Sequence, residues 1–420
     1  MIKRRLFLGA VALGVACFAC QVVAGIRRVE QVDDAPEEDA AVAETSPPEA
    51  ATSDPCAHVL PPPMPAVDDD PNTSVPDFYL GLRSVTLLAA NGAPLGFDLD
   101  GVCSCDGRPL GANDGGQSCV GTQPFCDADG GVDNQIATFA QLFDIKNAAN
   151  VNRRIATGQQ TSIVVIKRYN GRPNDRDVGF GIFTSEGIPA TQGNPGCADA
   201  GSADGYLFPG WCGKDRWTVS EASVTAMGGG TFTPKSVGVG YVTNYRFVVS
   251  LLGAADVPFA GYRLALGSAI STGLLVPLGP QLTPLDTSAG PPPRDQIAFW
   301  RLDDGVIAGR VPTSEVLVAV GILNEPGTDA AAQSHLCANP LLFAALKRQI
   351  CNQPDINATS SLDFTAGAAC NALSTAVGVT GGPVVVDPAL VPTKPNTNDC
   401  SPSPDGGSPA DHPEVVYRCP

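Results

Sequence analysis

This chain is short of histidine, aromatic side chains and charge. Its 420 residues include three His and three Trp, with 6% aromatic and 16% charged residues. Each shortage removes a class of function. With only His58, His335 and His412 available, and no paired C-x-x-C units, a zinc centre lacks ligands at workable spacing. The same scarcity, with no Gly-x-Ser-x-Gly elbow, leaves no nucleophilic triad in view. Gly228-Gly229-Gly230 has neither the Lys-Ser/Thr nor the strand-to-helix setting of a phosphate loop. Lys and Arg number 26 against 43 Asp and Glu, and none falls between residues 29 and 76, where twelve acids lie. No basic stripe is present for nucleic acid, which is not an expected partner. Beyond residue 26, no apolar run reaches membrane-spanning length without Gly, Pro or charge.

What is plentiful is glycine (46), proline (38) and cysteine (14). Glycine and proline favour turns and short strands over long helices. Two cysteines, Cys17 and Cys20, sit in the N-terminal apolar stretch. The other twelve are Cys56, Cys103, Cys105, Cys119, Cys126, Cys197, Cys212, Cys337, Cys351, Cys370, Cys400 and Cys419. An even number, spread through Gly/Pro/Asp-rich loops, reads as up to six disulfides formed in an oxidising compartment.

Residues 1–26 agree with that compartment. Lys3, Arg4 and Arg5 precede an uncharged run, residues 6–26, in the manner of an export signal. Three outcomes fit it. Cys17 or Cys20, each preceded by small residues, can accept a lipid. Cleavage can follow Ala24. Left uncut, about 21 apolar residues suffice for an anchor helix. The expected location is therefore periplasmic, outer-membrane-anchored or extracellular, with the membrane met through this segment.

Residues 27–76 are acidic and rich in Ala, Pro and Glu, the composition of a disordered tether, with Cys56 pinning its end. Residues 77–387 form a β-rich domain, and residues 388–420 a Pro/Asp-rich tail closed by Cys400 and Cys419. Short strands at 79–89, 161–169, 178–183, 217–224, 237–242, 245–252, 262–270, 273–276 and 296–302 are separated by Gly/Pro turns. The fold class expected is mainly β: a sandwich or jelly-roll arrangement of antiparallel sheets with two to three short helices, stapled by disulfides. One helix runs over residues 134–155, with Asp133 as N-cap and Ile136, Phe139, Ala140, Leu142, Phe143 and Ile145 as its apolar stripe. Others follow Pro312-Thr313-Ser314 and Asn339-Pro340. Cys337 and Cys351 bracket the last and suggest a local disulfide.

The densest chemistry lies in residues 97–134, where Cys103, Cys105, Cys119 and Cys126 alternate with Asp98-x-Asp100-Gly and Asp127-x-Asp129-Gly-Gly-x-Asp133. So few large apolar residues cannot hold a shape unaided. Cys103 and Cys105 are expected to reach across to Cys119 or Cys126, since neighbours so close pair poorly with each other. Asp98, Asp100 and Asp106 would raise a thiol pKa, which argues against a redox role. Calcium takes six to eight oxygens, and Asp98, Asp100, Asp127, Asp129 and Asp133 offer carboxylates at suitable density. Position 12 of the would-be calcium loop is Thr138 rather than Glu, so this is no EF-hand. The competing reading is solvated Asp-Gly turns.

Paired acids could instead serve a glycosidase, with Asp303-Asp304 or Asp175 and Asp177 as conceivable pairs. Tyr169, Trp211, Trp217 and Trp300 could stack on sugar. The D-L-D-G-x-C-x-C-D loop (98–106), G-G-V-D-N (130–134), Y-N-G-x-x-N-D (169–175) and L-D-D-G-V-I-A-G-R (302–310) together resemble exported, cysteine-rich proteins and lipoproteins of Gram-negative soil bacteria. That resemblance implies export but brings no known activity. The function expected is an envelope-tethered, non-catalytic binding or structural module, with a glycan or envelope polymer as its ligand. The alternative is a carbohydrate-active hydrolase using a pair of carboxylates.

Overall fold

The computed structural model describes residues 58–103, 118–121, 126–140, 146–192, 197, 201–228, 231–259, 262–323, 335–393, 400–401, 408–409 and 411–420. Fifteen strands lie among them: β1 (Phe78–Thr86), β2 (Thr161–Lys167), β3 (Asp175–Ser185), β4 (Ser202–Ala203), β5 (Tyr206–Leu207), β6 (Arg216–Ser220), β7 (Val224–Gly228), β8 (Thr231–Pro234), β9 (Ser236–Thr243), β10 (Arg246–Leu251), β11 (Ala255–Phe259), β12 (Tyr262–Leu278), β13 (Phe299–Pro312), β14 (Ala372–Pro383) and β15 (Val385–Val391). The helices are α1 (Gln135–Ala140), α2 (Lys146–Ala156), α3 (Thr313–Gly321) and α4 (Pro340–Cys351).

Eight strands close on themselves in the order β1-β2-β3-β9-β10-β12-β13-β14, with β14 pairing back to β1. Every neighbouring pair is antiparallel. The main sheet is thus a closed barrel, and the expected sandwich or jelly roll is wrong. With insertions set aside, consecutive strands are neighbours, so the chain meanders up and down until the last strand meets the first. Strand alternation aims every second residue inward. Leu80, Leu82, Val164, Ile166, Val178, Phe180, Ile182, Phe247, Val249, Leu275, Leu302 and Ile307 belong to one buried cluster. Eight strands enclose a space that side chains just fill. Crowding is tight enough that a Cβ on Gly273 would lie 2.2 Å from Leu302 Cδ1.

The outer face is covered too. β6 and β15 pair in parallel, and Trp217 and Val219 pack with Ile163, Val165 and Phe183 from the far sides of β2 and β3. β2 is therefore buried on both faces. The stretch 302–310, despite the turn-like Asp304-Gly305 pair, stays within the single strand β13. The register shifts between Leu302 and Gly305, and Asp304 takes a positive φ of 52°, which marks a bulge.

Four disulfides join the described residues: Cys119–Cys370, Cys197–Cys212, Cys337–Cys400 and Cys351–Cys419. Cys103 and Cys126 are disulfide-bonded as well. Such cross-links belong to oxidising surroundings. No helix among the described residues is long and apolar enough to cross a membrane. Three expected pairings fail. Cys337 precedes the 12-residue helix α4 and Cys351 ends it, so about 18 Å of helix at 1.5 Å per residue parts them, whereas a disulfide needs its Cα atoms some 4.4–6.8 Å apart. Each instead binds the C-terminal segment, at Cα separations of 5.7 and 5.4 Å, so Cys400 and Cys419 do not close the tail on itself. Cys119, expected to pair within its own loop, reaches Cys370 just before β14. Cys17, Cys20, Cys56 and Cys105 lie outside the described residues.

Residues 58–76, assigned from composition to the tether, form a strap on the barrel. Val59 N–H donates to Gly130 O (2.8 Å), and the Tyr241 hydroxyl donates to Pro62 O. Asp68 and Asp69 accept from Asn170, Asn174 and Arg176, while Arg294 pairs with Asp70 at 2.9 Å. Removing one such bond should be mild: Tyr241→Phe should lower stability by about 1 kcal/mol and speed exchange of the Val59 amide, the hydrogen-bonded N–H nearest the Pro61-Pro62-Pro63 run. Unchanged exchange there would show that Tyr241 does not hold the strap.

Candidate functional site

The acidic loop is fixed from below by an apolar footing. Beyond β1, Phe97 with Leu95 and Leu99 packs on Ala308 and Ala376. This sets Asp98 and Asp100 against the barrel wall. Asp98 then accepts from Gly101 N–H (2.6 Å) and Asp100 from Val102 N–H (2.9 Å), tightening the Asp-x-Asp-Gly turn. A second turn approaches alongside. Ala128 pairs with Val132 around Gly130 and Gly131, whose φ values of 78° and 73° only glycine adopts at no cost. Asp133 N–H donates to Phe97 O (3.0 Å), and the Asp133 carboxylate accepts from Leu99 N–H (2.6 Å).

These contacts make Asp133 part of the turn pair rather than a helix cap. The N-cap of α1 is Asn134, whose side chain accepts from Ala137 N–H at 3.1 Å. The single helix expected over 134–155 is described as two segments, α1 and α2; residues 141–145 lie outside the described residues.

The result is a convergence of Asp98, Asp100 and Asp133, with one carboxylate oxygen from each within 4.8 Å of the others. Asp98 and Asp133 are 5% and 3% exposed, so bulk water does little to separate their charges. Burial, then the charges of Asp100, Asp127 and Asp355, push the Asp133 carboxyl up to about 10, against the bond from Leu99 N–H. Burial also raises Asp100, partly offset by the Ser118 hydroxyl, which donates to it at 2.5 Å. His58 Nδ1 lies 2.5 Å from Asp98 Oδ2. Next to this cluster is a cavity of about 110 Å³, lined by Pro94, Cys126, Asp127, Ala128, Val132, Asn134, Gln135 and Asp355. Burial lifts Asp355 to about 6, opposed by bonds from the Ser374 hydroxyl and N–H.

Of the five acids singled out in the sequence, three converge. Asp127 stands at the cavity wall, and Asp129 is exposed at the turn, apart from the three. Nothing in the sequence pattern marks His58, Ser118 or Asp355 as members of this site. Asp355 follows an ordinary-looking Gln-Pro, with nothing local to mark it. Two other potential ligand sets, His58/Asp98/Cys103 and Cys197/Cys212/Asp215, contain cysteines already spent in disulfides, which cannot bind metal as thiolates.

The acid pairs considered for catalysis have structural partners. Arg301 binds Asp303 (2.5 Å), Arg246 reaches the exposed Asp304 (3.4 Å), and Arg168 binds Asp177 (2.9 Å). Asp175 accepts from Asn170 N–H and Asp177 N–H. The aromatic residues do not line a platform. Tyr169, Trp217 and Trp300 are buried, and Trp211 is half-buried against Trp217 with ring centres 5.7 Å apart. His335 faces Ile322 O at 2.9 Å, and His412 lies 3.6 Å from Glu414. No protein-family model, curated protein or solved structure matches this chain.

Proposed function

We propose that this chain is an exported, envelope-tethered, non-catalytic binding or structural module whose loop at residues 97–134 is clasped by calcium. The observation that carries the calcium is the convergence of Asp98, Asp100 and Asp133 within 4.8 Å in a buried setting. Like charges so close and so dry repel strongly unless protons or a cation neutralise them. Calcium is hard, prefers oxygen and tolerates irregular geometry, which suits carboxylates drawn from two separate turns. Disulfides around a filled barrel support life outside the reducing cytoplasm. Attachment would come through the N-terminal segment, by lipid at Cys17 or Cys20 or by an uncut anchor. A glycan or envelope polymer is the ligand class to screen.

Calorimetry on the oxidised, chelator-treated protein tests the calcium. Heat saturating at one calcium per chain is expected from the wild type and is lost in Asp133→Asn. No heat from a correctly folded wild type would overturn the site.

The second reading, a carbohydrate-active hydrolase, draws on one observation: Asp127 and Asp355 line the same cavity, with Asp355 lifted to about 6. Glycosidases need such a pair, with one member kept protonated. Size argues against it, because about 110 Å³ is well below the 300–1,000 Å³ of ordinary ligand pockets. Asp355→Asn decides: loss of a glycan-hydrolysing activity present in the wild type would favour the enzyme.

A further inference from the structure

Beside the clasp lies an exposed apolar tip. Val120, Leu362 and Phe364 are 61%, 42% and 67% exposed. They belong together. Phe364 N–H donates to Ser118 O (2.7 Å), Val120 N–H to Ala368 O (2.7 Å), and Cys370 N–H to Val120 O (3.0 Å). Phe364 has a positive φ of 61°, a conformation that is unfavourable for a bulky side chain and has to be held by its surroundings. Two fixtures hold it. On one side Asp363 is clamped by the buried Arg310 through two hydrogen bonds, and on the other Cys119–Cys370 ties the paired segments. Asp363 is the one ionisable side chain in 362–370, and Arg310 neutralises it, so the described residues of the tip carry no free charge.

We infer that this tip docks on a lipid surface, with Phe364 as the inserted side chain. Two features favour lipid over a protein partner. Stable protein interfaces bury about 800 Å² on each side, more than three exposed side chains supply, whereas a bilayer interface can take up a small apolar group. The second is where the N-terminal chain joins the body. His58 binds Asp98 in the Asp-x-Asp-Gly turn, Asp100 of the same turn binds Ser118, and Ser118 O holds Phe364. The described chain thus enters the body beside this tip, which lies within reach of a membrane that holds the preceding residues. The inference rests on the envelope-tethered reading and adds to it the face that meets the bilayer.

The test uses the full chain reconstituted in phosphatidylethanolamine/phosphatidylcholine vesicles. In Phe364→Trp, emission from the new indole should be blue-shifted and quenched by acyl-chain-brominated lipid, beyond the signal of the native tryptophans. Vesicles added to the exported, membrane-free form should bind it about tenfold less after Phe364→Ser, since burying a phenyl ring is worth at least 1.5 kcal/mol. Val67→Ser, at an exposed apolar residue on the strap, should change nothing. An unquenched, solvent-like indole in a Phe364→Trp chain still retained by vesicles would overturn the docking while leaving the tether in place. Equal losses from Phe364→Ser and Val67→Ser would overturn it as non-specific adhesion. A chain that never partitions into membranes in cells would instead remove the tether.

Discussion

Arg310→Ala should lower the unfolding free energy by about 3–5 kcal/mol, the range for leaving a buried charge without its partner. The Arg310 side chain is 1% exposed on the outer wall of the barrel, and Asp363 is 10% exposed. Its guanidinium donates to both Asp363 oxygens, to Asn357 O and to Leu99 O, each of the carbonyl bonds at 2.8 Å. One side chain thus joins β13, the segment before β14 and the acidic turn. Removing it strands a carboxylate and two carbonyls in low dielectric. Arg310→Met paired with Asp363→Leu should recover much of the loss, because the desolvation penalty disappears with the charges. Urea unfolding of the three proteins checks this. A drop under 1 kcal/mol for Arg310→Ala would mean that the pair is effectively solvated.

The second large effect concerns pH and calcium. Asp133 is raised to about 10 in the folded chain, from an ordinary value near 3.8. Between those values the folded state holds a proton that the unfolded state has released. Stability from this group is therefore full below pH 4 and declines as pH rises toward 10. Asp355, at about 6, adds a decline of the same sign that ends near pH 6. In chelator, the melting temperature should fall steadily from pH 5 to pH 8. Calcium must displace the proton to bind, so it should bind more tightly as pH rises and restore the melting temperature most at pH 8. Asp133→Asn should flatten the chelated profile and remove the calcium response. A chelated profile that rises over this range would contradict the crowding of these carboxylates.

How far the sequence reveals this structure depends on the element. β1, β2, β9 and β10 are visible from their apolar patterns, and α4 from Asn339-Pro340, where the Asn339 side chain accepts from Leu342 N–H. Barrel closure is not visible. It depends on β10 meeting β12 and β14 meeting β1, pairings between strands that local patterning does not specify. β2 is misleading in its own way: buried on both faces beneath β6 and β15, it looks like the core of a sandwich. Asp304-Gly305 looks like a turn because a bulge uses turn chemistry inside a strand.

The site is legible in part for a similar reason. Asp98, Asp100 and Asp133 announce themselves because each lies in an Asp/Gly-rich turn. Asp355 reaches the cluster only through folding of the chain before β14, and His58 only through docking of a strap that composition assigns to the tether. Cysteine count indicates staples, but connectivity follows from where the ends of α4 point.

The most direct measurement is a crystal structure of the oxidised chain grown with calcium at pH 8. An ion should be bound at about 2.3–2.6 Å by oxygens of Asp98, Asp100 and Asp133. Density showing those three carboxylates linked only through shared protons, water and His58, with calcium present in excess, would contradict it.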